Sequence, residues 1–204
     1  MNINTSYPVH PKHWNYFLSV ESDLINCSKY INFDKRNFLT FSNELAKIIM
    51  LSASEVESIF IEMCERISPN KTKKNRGIKD YHKILMEKHP DMINCEIEIP
   101  LHKIKIKPWD GWLPEKSPTW WGKGYNKIKH DRYTHMEQAN LINTLNAVGA
   151  QFLAVLYYHR EFYQQDVTVE MHLRSSLFST IPPSKYKGGM FFGYGDPFAY
   201  QAEG

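Results

Sequence analysis

The feature that most limits the fold lies between Glu137 and Tyr163. There Ile142, Leu145, Gly149, Phe152 and Leu156 fall on one helical stripe, with Leu141, Val148 and Leu153 beside it. A helix apolar on nearly every side has no face to give to water, so other elements must surround it. Its longest nearly apolar run, Ala147 to Tyr158, is interrupted by Gln151 and is too short for a membrane span, since a bilayer needs about 20 apolar residues. A central helix in a bundle is the consequence. The chain can enclose such a helix, because a globule of 204 residues buries roughly 70% of its unfolded surface.

The surrounding elements are legible in part. From Asn37 the positions Phe38, Phe41, Leu45, Ile48, Val56, Ile59, Met63 and Ile67 recur at three- and four-residue steps. They predict one long amphipathic helix closing at Ser68-Pro69. The segment His13 to Asn32 is a weaker mixture, open between a short helix and a strap across the core. After the basic loop Asn70 to Gly77, Ile78 to Lys88 predicts a short helix stopped by Pro90. Glu96 to Lys107 alternates like a strand, but its phase slips at His102-Lys103, which implies a bulge or tight bend, and Pro100 suggests an edge. Ser117-Pro118 then fits a helix start, with helix signals running to about Thr134. The fold class expected is mainly α. It is an antiparallel helical bundle with a short β insertion between the second and third main helices. A single domain spans 1–204, with its helical core at about 38–163 and an irregular, aromatic-rich tail over 164–204.

Composition narrows the function classes. With 42% hydrophobic and 23% charged residues, and a mean hydropathy of -0.49, the chain is neither a disordered tail nor a membrane protein. Met1 to His10 carries Asn, Thr, Ser and Pro where a signal peptide needs a basic and then an apolar region, so a cytoplasmic location and no membrane partner are expected. Cys27, Cys64 and Cys95 are odd in number and widely spaced, which predicts reduced, buried thiols. His10 and His13, or His130 and His135, lack a third ligand in any metal-site spacing, so neither a metal nor a cofactor is expected. A net charge of +3 does not announce a nucleic-acid binder, and such a role must rest on a local patch.

The stretch Trp120 to His135, WWGKGYNKIKHDRYTH, supplies one. On a wheel of 100° per residue, Trp121, Tyr125, Ile128 and Arg132 look inward, while Lys123, Asn126, Lys127 and His130 share another side. Two ammonium groups and a carboxamide can hold phosphodiester oxygens, and an imidazole moves a proton near neutral pH. A solvated polar face is the plainer reading. Trp120 and Trp121, beside an apolar core, read as packing. Arg132 on the inward face needs a carboxylate, and Glu44 or Glu55, eleven residues apart beside the seam of the first long helix, would pair with it.

This order of helices, from about Phe38 to Tyr163, resembles the HEPN domain, a four- or five-helix bundle. The family motif is Arg, four to six residues, then His, often with Asn directly after the Arg. Asn126 to His130 is similar to its Asn-to-His part, with Tyr125 in the arginine slot and Lys123 the nearest cation. The resemblance implies an RNA-interacting protein, in its catalytic form a metal-independent endoribonuclease effector of a toxin or phage-defence system. His130 would be the general base or acid, Asn126 an orienting donor, and Lys123 and Lys127 the phosphate holders. It also implies a homodimer and a partner protein, an antitoxin or defence-system subunit. The alternative is a non-catalytic HEPN-like dimer acting as an interaction or regulatory subunit, which Tyr125 in the arginine slot favours. A third option is a small-molecule-binding bundle with a pocket among Trp109, Trp112 and the tail aromatics.

Overall fold

At the centre of the computed structural model, which describes residues 12–69, 77–163 and 173–181, lies helix α5, Leu141–Tyr163. From Leu141 to His159 every residue is buried except half-buried Ile142 and Asn146. The helix starts later than Glu137 because Met136–Gln138 forms a 3-10 turn and Asn140 caps the start, its side chain accepting from the Asn143 N–H at 3.1 Å. By length and composition Leu141–Phe162 could cross a bilayer, but 89% of its most apolar window is buried inside the protein, as a core helix requires.

Helix α2, Asn43–Ile67, packs along it. Ser42 is its N-cap, accepting from the Leu45 N–H at 3.1 Å, and the helix closes at Ser68 before Pro69. The periodicity suggests a start at Asn37, six residues too early. Lys35–Asn37 is a separate 3-10 turn with the Asp34 side chain as its cap, and Phe41 bridges Asn140 in extended backbone. That bridge fixes the direction of the central pair. The Leu141 N–H donates to Thr40 O and the Ser42 N–H to Ala139 O, while at the far ends Tyr158 Oη donates to Glu62 and Arg66 meets Glu161. The two longest helices among the described residues therefore run parallel, which corrects the antiparallel bundle for this pair. The physical reason is the connection: short loops force antiparallel neighbours, but here the whole span from Ser68 to Asn140 returns the chain to its starting end. Helix α1, Trp14–Cys27, does run antiparallel to α2, tied by Lys12 to Glu62 at one end and Asp23 to Lys47 at the other. It settles the open segment after His13 as a helix, with Trp14, Phe17, Val20 and Leu24 inward.

Helix α3, Ile78–Lys88, has the predicted bounds, with Asp80 accepting from the Gly77 N–H. Strands β1, Glu96–Ile99, and β2, Ile104–Ile106, pair antiparallel, Ile97 opposite Ile106 and Ile99 opposite Ile104. The phase slip in the sequence is their hairpin turn, where Lys103 takes a left-handed φ of 52°. Pro100 stands in that turn and not in a strand, so β1 is not an edge. It is the middle strand, flanked on its other side by β3, Ser179–Ile181. This third strand falls in the tail expected to be irregular, and buried Glu21 of α1 anchors the segment leading to it. The carboxylate accepts from the N–H groups of Ser176 and Leu177, each at 3.1 Å, and from Ser175 Oγ.

The sheet lies against the middle of α5 at Gly149. A Cβ there would stand 2.6 Å from Ile97 Cδ1, 3.1 Å from Pro108 Cγ and 3.2 Å from Ile106 Cδ1. Trp109 and Trp112 fill the neighbouring space, Trp112 stacked on Phe60 at 5.5 Å and Trp109 against Trp120 at 5.6 Å, so both tryptophans are core. The basic loop from Asn70 to Arg76 and the aromatic run from Phe191 to Tyr200 lie outside the described residues.

Candidate functional site

The motif stretch opens on Pro118, whose carbonyl accepts from the N–H groups of both Trp121 (3.1 Å) and Gly122 (2.9 Å). Trp120–Asn126 then winds as a π-helix, continued by a single α turn, α4, Lys127–His130. The wider winding has a compositional cause. Trp120, Trp121, Tyr125 and Ile128 all turn inward, and bonds to the fifth residue give these bulky groups more of the circumference than a regular turn allows. One glycine permits it. Gly122 lies so close to Ser117 that a Cβ would stand 2.6 Å from its Oγ, whereas at Gly124 a Cβ would meet Asn143 of α5 at an ordinary 3.5 Å. Trp120 Nε1 donates to Pro108 O at 2.8 Å and locks the helix to the insertion. This is why Trp120 and Trp121 are packing residues, as their place beside the core predicts.

The outer face follows from that anchoring. Lys123, Lys127 and His130 are exposed and Asn126 is half-buried, so the four residues grouped by the wheel do share the outward side. Lys129 joins them, its ammonium 5.2 Å from the Tyr125 ring centre, and a hydrogen bond to Tyr125 raises its pKa. Lys127, Lys129 and His130 also occupy the last turn, where cations favour the helix C-terminus. The helix stops at Asp131, whose backbone, at φ -151° and ψ 88°, has left the helical region. The Asp131 carboxylate accepts from the Thr134 N–H at 3.1 Å, and hydrogen bonding from the Thr134 side chain first, with that N–H second, holds its pKa below the usual carboxylate range. Arg132 and Tyr133 stand on the resulting turn, Tyr133 at 99% exposure.

Arg132 is therefore not inward, and the expected pair with Glu44 or Glu55 is absent. The helix ends at His130, two residues before Arg132, so helical periodicity does not place that side chain. Glu44 is engaged by Lys47, and Glu55 by His13, Nδ1 to Oε1 at 2.6 Å. None of Lys123, Lys127, His130 and Arg132 forms an ion pair among the described residues, whereas Lys12, Arg36, Lys47, Arg66 and Lys79 all do.

A polar cluster between α1, α2 and α5 escaped the sequence reading. His13, in left-handed backbone with φ 67°, lies between Glu55 and Glu62 and edge-on to the Tyr158 ring. Burial raises the Glu62 pKa, but hydrogen bonds from Lys12 and Tyr158 outweigh it and pull the net value down. His159 faces the Lys12 carbonyl at 3.1 Å, and burial above all pushes its pKa down to about 4. The available signal was Glu55 and Glu62, seven residues and two turns apart on one helix, beside an apolar seam. Further along, Tyr157 donates to Asp91 and meets Cys95 Sγ at 3.1 Å. Burial is the largest cause raising the thiol pKa of Cys95 and of Cys27, the opposite of what a nucleophile needs. Among the described residues no three His, Cys, Asp or Glu side chains converge as a metal-ligand set.

Comparison with protein-family models, with curated proteins and with solved structures finds no match to this chain.

Proposed function

We propose that the chain is an RNA-contacting helical protein whose contact surface is the outward face of the motif helix, Lys123, Asn126, Lys127 and His130, continued by Arg132 and Tyr133. The observation that carries this reading is the set of four cationic or titratable side chains, exposed together and engaged by no carboxylate among the described residues. Such groups are available to phosphate oxygens, and an exposed tyrosine beside them offers a ring on which a base can stack.

In its catalytic form the reading is HEPN-like. His130 takes the proton from a 2′-hydroxyl, whose oxygen attacks the adjacent phosphorus; the bond to the 5′-oxygen breaks, and the leaving oxygen takes up a proton. Lys123 and Lys127 hold the phosphate oxygens and Asn126 orients them. One helix face cannot enclose a phosphodiester, so this form requires a homodimer with two motifs facing each other. In the alternative form the same face binds RNA without cutting it and serves as an interaction subunit. Roles as toxin or phage-defence effector, with an antitoxin-like partner, belong to the HEPN resemblance and to this proposal.

Incubating the protein with RNA in EDTA separates the two forms. In the catalytic form the products carry a 2′,3′-cyclic phosphate, and His130→Ala slows the cut by about 10²–10⁴-fold while RNA retention survives. Wild type that retains RNA without cutting it leaves the binding form. Wild type that neither retains nor cuts RNA ends the proposal.

A further inference from the structure

The end of the molecule where α2 and α5 begin carries a second unassigned surface. Three neighbouring loops lie there, and each raises one large apolar side chain. The turn after α1 raises Tyr30 at 88% exposure, the segment before α2 raises Leu39 at 77%, and the β1–β2 turn raises Leu101 at 86%. Contacts among the loops hold them together. The Phe33 ring lies 5.1 Å from the His102 ring, Asn37 Nδ2 donates to Asn32 O, and the Ile142 N–H of α5 donates to Phe38 O. A single exposed apolar side chain means little, but three raised from loops tied to one another, each beside a lysine, make a surface suited to a contact.

Charge decides what the contact is. Each tip has a lysine within four residues, Lys29 beside Tyr30, Lys35 before Leu39 and Lys103 after Leu101, all exposed. None of the three is in an ion pair among the described residues, while the carboxylates of these segments are occupied: Asp34 by Arg36, and Asp23 and Glu44 by Lys47. The Leu101 tip is also set by unusual backbone, since Lys103 holds a left-handed conformation that a lysine adopts only rarely.

We infer that this end docks on an anionic lipid surface, Tyr30, Leu39 and Leu101 entering the headgroup boundary while Lys29, Lys35 and Lys103 meet acidic headgroups. This is a peripheral contact and involves no spanning helix. Binding to such surfaces sums buried apolar area and the attraction of basic side chains, and the three tips supply both together. Aliphatic Leu39 and Leu101 suit acyl chains and give a nucleic-acid base no ring to stack on. A second copy is disfavoured because two-fold closure would set the three lysines against one another.

The test is co-sedimentation of the full chain with vesicles of phosphatidylcholine alone or mixed with phosphatidylserine. Wild type is expected to partition onto the mixed vesicles and only weakly onto the neutral ones. Lys35→Gln/Lys103→Gln should lower that partition roughly 30-fold, at about fivefold per basic residue. Leu39→Ser/Leu101→Ser should lower it at least about tenfold. Both pairs lie on the surface and should leave the thermal melt unchanged, and Lys123→Gln/Lys127→Gln should leave the partition unchanged. The proposal is overturned if wild type ignores phosphatidylserine or if the leucine pair partitions like wild type. It is equally overturned if the tip variants change only RNA affinity, or only the oligomeric state in light scattering.

Discussion

Two glycines carry opposite consequences for one substitution. At Gly149 a methyl group meets Ile97, Pro108 and Ile106 at 2.6–3.2 Å, where the sheet presses on α5. Overpacking of that kind costs about 1–3 kcal/mol, more than the roughly 1 kcal/mol that alanine gains over glycine in a helix. At Gly124 the nearest atoms belong to Asn143 at an ordinary 3.5 Å, so only the gain remains. Urea melts should therefore show Gly149→Ala less stable than wild type by about 1 kcal/mol and Gly124→Ala more stable by up to about 1 kcal/mol. Glu55 is the other residue whose meaning depends on its neighbour. Its carboxylate, placed on the α2 seam by the sequence, is answered by His13 from the start of α1 and not by Arg132. Glu55 is half-buried beside that seam, and its partner, 42 residues away along the chain, has no periodic signal to announce it.

At the scale of elements, what was legible is what local spacing controls. Helix α3 and the core of α5 follow from three- and four-residue steps and from caps, and the hairpin follows from the slip at His102-Lys103. What was not legible depends on contacts between distant segments. Strand β3 exists because Glu21 ties residues 175–177 to α1, and the parallel run of α2 and α5 is set by the Phe41 to Asn140 bridge. The motif helix is a mixed case. A 100° wheel sorted its outward face correctly despite the π winding, because the inward set is fixed by bulky aromatics, but it failed beyond His130, where the helix ends. Arg132→Ala should accordingly change stability by no more than about 0.5 kcal/mol, as for other surface positions. His13→Ala, which strips the partner from a half-buried Glu55, should cost clearly more in the same melts.

For the molecule as a whole, the buried histidines set a pH window. Burial is the first cause pushing the pKa of His159 down to about 4, and it likewise lowers His82 and His89. An unfolded histidine takes its proton near 6.5, so below that pH the unfolded state holds protons that the folded state refuses. The stability is full above about 6.5 and falls as the pH drops toward 4, with His159 contributing up to about 3 kcal/mol. Urea midpoints measured across this range should decline on the acid side, and His159→Gln should flatten the decline. The cationic face of the motif helix, the proposed RNA contact, is a separate property of the whole molecule, because charge acts at long range and is screened by salt. Its most direct test is the slope of log affinity against log salt for a single-stranded RNA, compared between wild type and Lys123→Gln/Lys127→Gln. Each phosphate contact on a single strand contributes about 0.7 to that slope, so two lost contacts should reduce it by about 1.4 and weaken binding at low salt. An unchanged slope and affinity would contradict the account, since the RNA would then be held elsewhere.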